Sequence, residues 1–304
     1  MIRTARSALL FMALQAALLY PATAGAYFEE SEVGVRSVGF GRAFTAIADD
    51  ASAIHWNAAG LAGMARSQVL LAYSRPYNVE GLQSNYLSLA MPLSFASAGI
   101  SWHHFGAADI LSEDTFSLAL ARDIWDSGPW RVAVGATGKL ARIGFADYTD
   151  RTTSDDVSGI SESHVTADAS ILLRHGSRFR FGANLANIGS PSFDLVDGSS
   201  GGTDLPTVLR LGAAFQWNPE SIISMDIQQV DEDRTEVNIG GEVSFFQSFA
   251  IRAGISSDLG ASVGATIQAR RWGLDLVTLA NRPLGASYRA SIRIPFGSAS
   301  EGGR

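Results

Sequence analysis

The chain has 304 residues, a formal charge of −7 and no cysteine, which excludes disulfide staples and thiolate metal sites. Apolar residues reach 46% and charged residues only 17%, against about 25% charged in an ordinary soluble domain, so the composition is too apolar for disorder. No apolar run reaches the ~18 residues of a helical membrane span, and without a basic run no nucleic-acid partner is expected.

In chain order, residues 1–26 read as a secretory signal peptide. Arg3 and Arg6 form a positive start, Ala8–Leu19 an apolar run, and Pro21 breaks it before small-residue cleavage sites near Ala24 or Ala26. The run is too short for a membrane anchor, which needs roughly twenty residues. Residues 27–66 break any strand pattern. Gly34, Gly39, Gly41, Gly60 and Gly63 alternate with alanines that include Ala43 and Ala59, and small residues let a backbone approach a wall closely. Asp49 or Asp50 is expected to cap a short helical turn through Ala51–Trp56, with Gly60 ending it. Two placements fit: a hatch inside a barrel, or a small amphipathic cap outside it.

From Ser67 to Phe296 the chain is a series of alternating segments. In the last, Ala286, Tyr288, Ala290, Ile292, Ile294 and Phe296 share one face, while Ser287, Arg289, Ser291 and Arg293 share the other. A period of two means a strand with one apolar side. About fourteen such segments are expected, at 67–75, 84–92, 97–105, 114–122, 130–142, 163–174, 179–189, 207–217, 221–230, 235–246, 248–257, 260–270, 271–280 and 285–296. The predicted fold is therefore all-β: a transmembrane antiparallel barrel of about 14 strands over 67–296, a plug at 27–66, and a tail at 297–304.

The connections agree. Even-numbered links such as Leu93–Ala96 and Asn218–Glu220 are tight, while Pro76–Gln83, Gly106–Glu113, Ile143–Glu162 and Ser190–Pro206 are longer. Outer-membrane barrels pair short periplasmic turns with long outer loops. Aromatic residues flank the short turns (Phe95, Trp125, Trp130, Phe179, Trp217, Phe249, Trp272), where an interfacial girdle belongs. A sandwich or a soluble propeller would place them mid-strand. Charges on the polar faces are expected to point into the lumen: Arg131, Asp168, Arg180, Arg210, Asp226, Glu242, Arg252 and Arg289. A midplane Arg facing lipid costs roughly 2–4 kcal/mol.

The run from Gly34 to Leu61, with Gly39, Gly41, Ala43, Asp49, Asp50, Asn57, Ala59 and Gly60, resembles the N-terminal signature of the PorV/PorQ family of outer-membrane barrels. That family is related to FadL-type long-chain fatty-acid transporters. Its usual Asn-Pro-Ala-Gly is here Asn57-Ala58-Ala59-Gly60, so the rigid turn of the proline is missing. Asn184–Gly189 and Ile294-Pro295-Phe296 are similar to further family features. The resemblance implies a barrel of about fourteen strands with an N-terminal hatch. PorV-type members serve type IX protein secretion and surface assembly, with secretion-machinery or surface proteins as partners. The FadL branch moves small hydrophobic molecules. The charged lumen tips the expectation toward the secretion role, since an apolar conduit wants an apolar lining. Outer-membrane lipid is a partner either way.

No catalytic, cofactor or metal site is expected. Gly-x-Ser-x-Gly occurs around Ser200 and Ser262, but neither lies on the strand-to-helix elbow that nucleophile needs. His103 and His104 are neighbours in a strand and point to opposite faces. His164 and Asp168 lack a third ligand, and the acidic residues of 147–162 read as a solvated loop.

Overall fold

The computed structural model describes residues 33–107, 110–146, 148, 149, 156, 157, 159–193, 203–231, 234–246, 248–281 and 285–298. The expected signal peptide, the first six residues of the expected plug, the loop carboxylates Asp147, Asp150 and Asp155, Ser200, and tail residues 299–304 lie outside them.

Alternation is what makes the strands. They are β1 (Ser67–Arg75), β2 (Leu82–Pro92), β3 (Ser97–Ala107), β4 (Leu111–Ser127), β5 (Trp130–Phe145), β6 (Ser161–His175) and β7 (Phe179–Ile188). The second half holds β8 (Val208–Asn218), β9 (Ser221–Val230), β10 (Arg234–Phe245), β11 (Phe249–Ser256), β12 (Gly260–Gln268), β13 (Gly273–Asn281) and β14 (Gly285–Phe296). Each pairs antiparallel with its sequence neighbour, and β1 closes the ring on β14 from Ser67↔Phe296 to Arg75↔Tyr288. In β9, Ile222, Ser224, Asp226 and Gln228 are buried while Ile223, Met225 and Ile227 are exposed. That inverts a soluble protein: grease outside, polar groups within.

The outer wall has the dimensions of a bilayer. On β4 the outward residues Phe116, Leu118 and Leu120 are exposed and lie between Asp114 and Arg122. Those ends are about 27 Å apart along a strand, or about 20 Å along the membrane normal at the usual tilt. At the short-turn end, Phe95, Trp125, Trp130, Phe179, Trp217, Phe245, Phe246, Phe249, Trp272 and Phe296 are all exposed. Ser67 and Phe296 pair at this same end.

Several strand ends differ from the sequence reading by a few residues, and the larger differences have physical reasons. β4 continues past 122 to Ser127 because the register shifts between Asp123 and Trp125. The extra residue of such a bulge breaks the period of two. The link expected at 106–113 contracts to a tight hairpin, with Ala107 paired to Leu111. The link after β7 instead turns back on the barrel. Its Ser192–Phe193 pairs with Thr203–Asp204, and Phe193 and Leu205 are buried on Ala141 and Ile143.

Candidate functional site

Residues 33–64 lie against the inward faces of the strands. The segment is two helical turns (Val35–Gly39 and Ala53–Trp56) and a 3-10 stretch (Ala58–Gly63). Phe40, Phe44, Ile47, Ile54, Trp56 and Leu61 are buried in one apolar cluster with Leu70 and Tyr86 of the wall. The turn at 53–56 is not capped by an aspartate. Asp50 Oδ1 instead accepts from Ser52 N at 2.9 Å and from Ser52 Oγ. Gly60 does not end that helix either. It sits inside the 3-10 stretch, where a Cβ would meet the carbonyl of Ala48.

Polar contacts stitch this segment to distant strands. Asp226 Oδ2 accepts from Phe44 N at 3.0 Å and Thr45 N at 2.8 Å. Asn57 does three jobs: Nδ2 donates to Thr45 O at 2.9 Å and Ile171 O at 3.1 Å, and Oδ1 accepts from Ala59 N at 3.1 Å. Ala59 N also donates to Ser170 Oγ, and Ser262 Oγ donates to Gly39 O. Each of these strand side chains points inward. Asn57→Ala is therefore expected to lower stability by about 1–3 kcal/mol, since it removes three buried hydrogen bonds, although Ala59 N keeps Ser170 Oγ. Thermal unfolding followed by loss of heat-modifiable gel migration checks this.

Charge pairs add a second layer. Arg36 bridges Glu242 at 3.2 Å and Asp49, and lies over the Phe40 and Phe44 rings. Burial opposes its charge, but Asp49, Glu242 and Asp50 outweigh burial and hold its pKa well above the ordinary value. Asp49 also faces Arg180 at 3.6 Å. Arg42 pairs with Glu236 at 3.0 Å. Behind Glu242, Arg252 spans to it at 2.7 Å and to Asp275 at 3.1 Å, and Arg293 completes the group at 2.8 Å from Asp275. Asp168 holds Lys139 at 2.7 Å. Arg289 is buried near Ser74 Oγ, while Arg131 stays at the short-turn rim with Asp126. Arg36 and Arg42 were not singled out in the sequence. As the only cations between 33 and 64, opposite an acidic wall, they carried the signal.

Wall glycines make the fit. Gly240 and Gly254 are cross-strand partners, and a Cβ on either would strike the Phe40–Gly41 backbone. Gly182 admits Thr45, and Gly135 admits Ala58 and Ala59, in the same way. Between the segment and Leu205–Pro206 lies a cavity of about 70 Å³.

The histidines are accounted for: His103 faces inward onto Ser84 Oγ at 3.0 Å, and His104 faces outward onto Asp114 at 3.0 Å. Glu162 and His164 lie 3.7 Å apart, and His164 packs edge-on to Phe193. Ser262 lies mid-strand in β12. Among the described residues no cluster of three metal-ligating side chains forms.

The chain is similar in structure to the CymD monoaromatic hydrocarbon channel, with a TM-score of 0.62 and 13% identity over 91% of this chain and 100% of that one. The P. putida toluene transporter TodX matches at a TM-score of 0.59 and 12% identity, over 88% and 99% of the two chains. A Pseudomonas aeruginosa FadL homologue matches at 0.57 and 11%, over 87% and 98%. Residues 111–230 match the family described as "F plasmid transfer operon, TraF, protein". No curated protein sequence matches the chain. The fold is thus the closed antiparallel fourteen-stranded barrel of FadL-type outer-membrane proteins.

Proposed function

We propose that this chain is a non-enzymatic outer-membrane channel for small hydrophobic molecules, with residues 33–66 as its hatch and the short turns in the periplasm. The supporting observation is likeness over nearly the full chain to hydrocarbon channels. The outer wall supports the location, because its exposed apolar band belongs against acyl chains. The charged lumen had favoured a secretion role, yet most of those charges are engaged with one another or with the 33–64 segment. Asp226, Glu236, Glu242 and Arg252 bind the hatch or one another, so they do not line a conduit. The contact between hatch and wall is apolar in places: Val35 and Val38 pack on Val277 and Leu279. An apolar solute would pass along such a seam with less desolvation than an ion.

Cells lacking the protein are expected to take up radiolabelled toluene only at the rate of passive leak, and a plasmid copy restores the difference. Unchanged uptake together with an altered surface-protein profile would replace the channel with the secretion reading.

A further inference from the structure

The cavity above the hatch has an unusual charge distribution. Its lining includes Arg42, Lys139, Arg210 and Arg234 and the imidazoles of His55 and His103, but no aspartate or glutamate. The carboxylates that balance these cations stand behind them. Asp168 takes Lys139, and Glu236 takes Arg42 and Arg234, the last at 3.1 Å. Arg210 is different. Its Nε donates to Gln228 Oε1 at 2.9 Å and its face lies 5.3 Å over Trp56, but Nη1 has no hydrogen-bond partner among the described residues. The residue is only 6% exposed. His55 Nε2, one position from Trp56, is buried and equally without a partner.

A buried guanidinium fork with an open N–H is matched by a planar or tetrahedral oxyanion. The cavity admits several heavy atoms, since one water needs about 10–15 Å³ of such space, and it is far too small and polar for a hydrocarbon tail. The geometry points to a binding site for a carboxylate or phosphate group, held by Arg210 and His55 with Lys139 at its edge, between the hatch and the inturned outer link. Burial and the neighbouring cations Arg210 and Lys139 hold the His55 pKa well below its ordinary value, so at neutral pH it serves as a neutral donor. This site stands apart from any apolar seam, and binding there would tie the hatch to the outer mouth.

The test uses the full-length barrel in detergent, titrated calorimetrically with sodium phosphate, sodium octanoate and 1-octanol. Binding of phosphate and octanoate, each weakened about tenfold in R210Q as expected for one lost charge-assisted hydrogen bond, identifies a site for free oxyanions. Binding of octanoate alone, with the same loss, identifies the head group of an amphiphile. R210K should recover part of the affinity, and R122Q, on the outer wall, should leave it intact; heat-modifiable migration confirms that each variant is folded. If neither anion binds, or if R210Q leaves both affinities unchanged, ordered water satisfies Arg210 and the site is refuted. Equal, R210-independent binding of octanol and octanoate would refute the anion site while leaving the hydrophobic channel standing.

Discussion

Arg252→Met is expected to destabilise the barrel by about 3 kcal/mol, the lower end of the range for breaking a buried ion pair. The Arg252 side chain is 1% exposed and serves Glu242, Asp275 and Thr266 at once. Methionine fills the space of the stem but leaves two carboxylates facing each other across the gap it opens. The loss stays at the lower end because Glu242 keeps Arg36 at 3.2 Å and Asp275 keeps Arg293 at 2.8 Å. Lysine should recover less than half, since one ammonium cannot reproduce a fork that spans two acids. The triple variant R252M/E242Q/D275N should not regain the stability, because Arg36 then loses the carboxylate of Glu242 and Arg293 that of Asp275. The measurement is the temperature at which the folded band disappears on a gel. If R252M keeps its folded band at the wild-type temperature, the network is not what holds this wall together.

The barrel was legible because a bilayer imposes a simple rule on every strand. Ala286 to Phe296 alternate without a fault, and the structure buries Ser287, Arg289 and Ser291 where that alternation puts them. Reading failed where the rule is locally suspended, as at the bulge beside Ile124. The 33–64 segment was legible as composition and not as contacts. Nothing in the sequence ties Arg36 to Glu242 or Phe44 to Asp226, because each pair is separated by about two barrel halves of chain. The wall glycines show the same limit: nothing in the strand pattern marks Gly240 and Gly254 as the sockets for Phe40 and Gly41. The functional expectation drawn from lumen charge rested on the same missing contacts. A list of inward charges shows that they must be neutralised, but only the fold shows that several of them pair with Arg36, Arg42 and the backbone of the 33–64 segment.

Those sockets carry the second large prediction. Gly254→Val is expected to push the Phe40–Gly41 backbone off the wall while leaving the barrel folded. Valine suits an antiparallel ladder, and Gly254 has an ordinary strand position between Gly240 and Ser262. The added methyls have nowhere to go on the inward side, where Gly41 N and Phe40 C already stand within contact of the missing Cβ. Overpacking of this kind costs typically 1–3 kcal/mol, and backbone on both sides leaves no flexible side chain to yield. Gly41 itself has φ +61°, so the displaced strand cannot relax simply by repacking a side chain there. The loss should fall on the hatch, with Asp226 losing its two amide donors as Phe44 and Thr45 follow. In planar bilayers, discrete conductance steps should appear that the wild type lacks, and the Arg36 and Arg42 peptide bonds should become cleavable by trypsin. Gly138→Val is the matched control, because a Cβ at that position meets nothing. A folded G254V barrel that trypsin cleaves at Arg36 and Arg42 yet stays as silent as G138V would mean that the 33–64 segment does not seal the lumen.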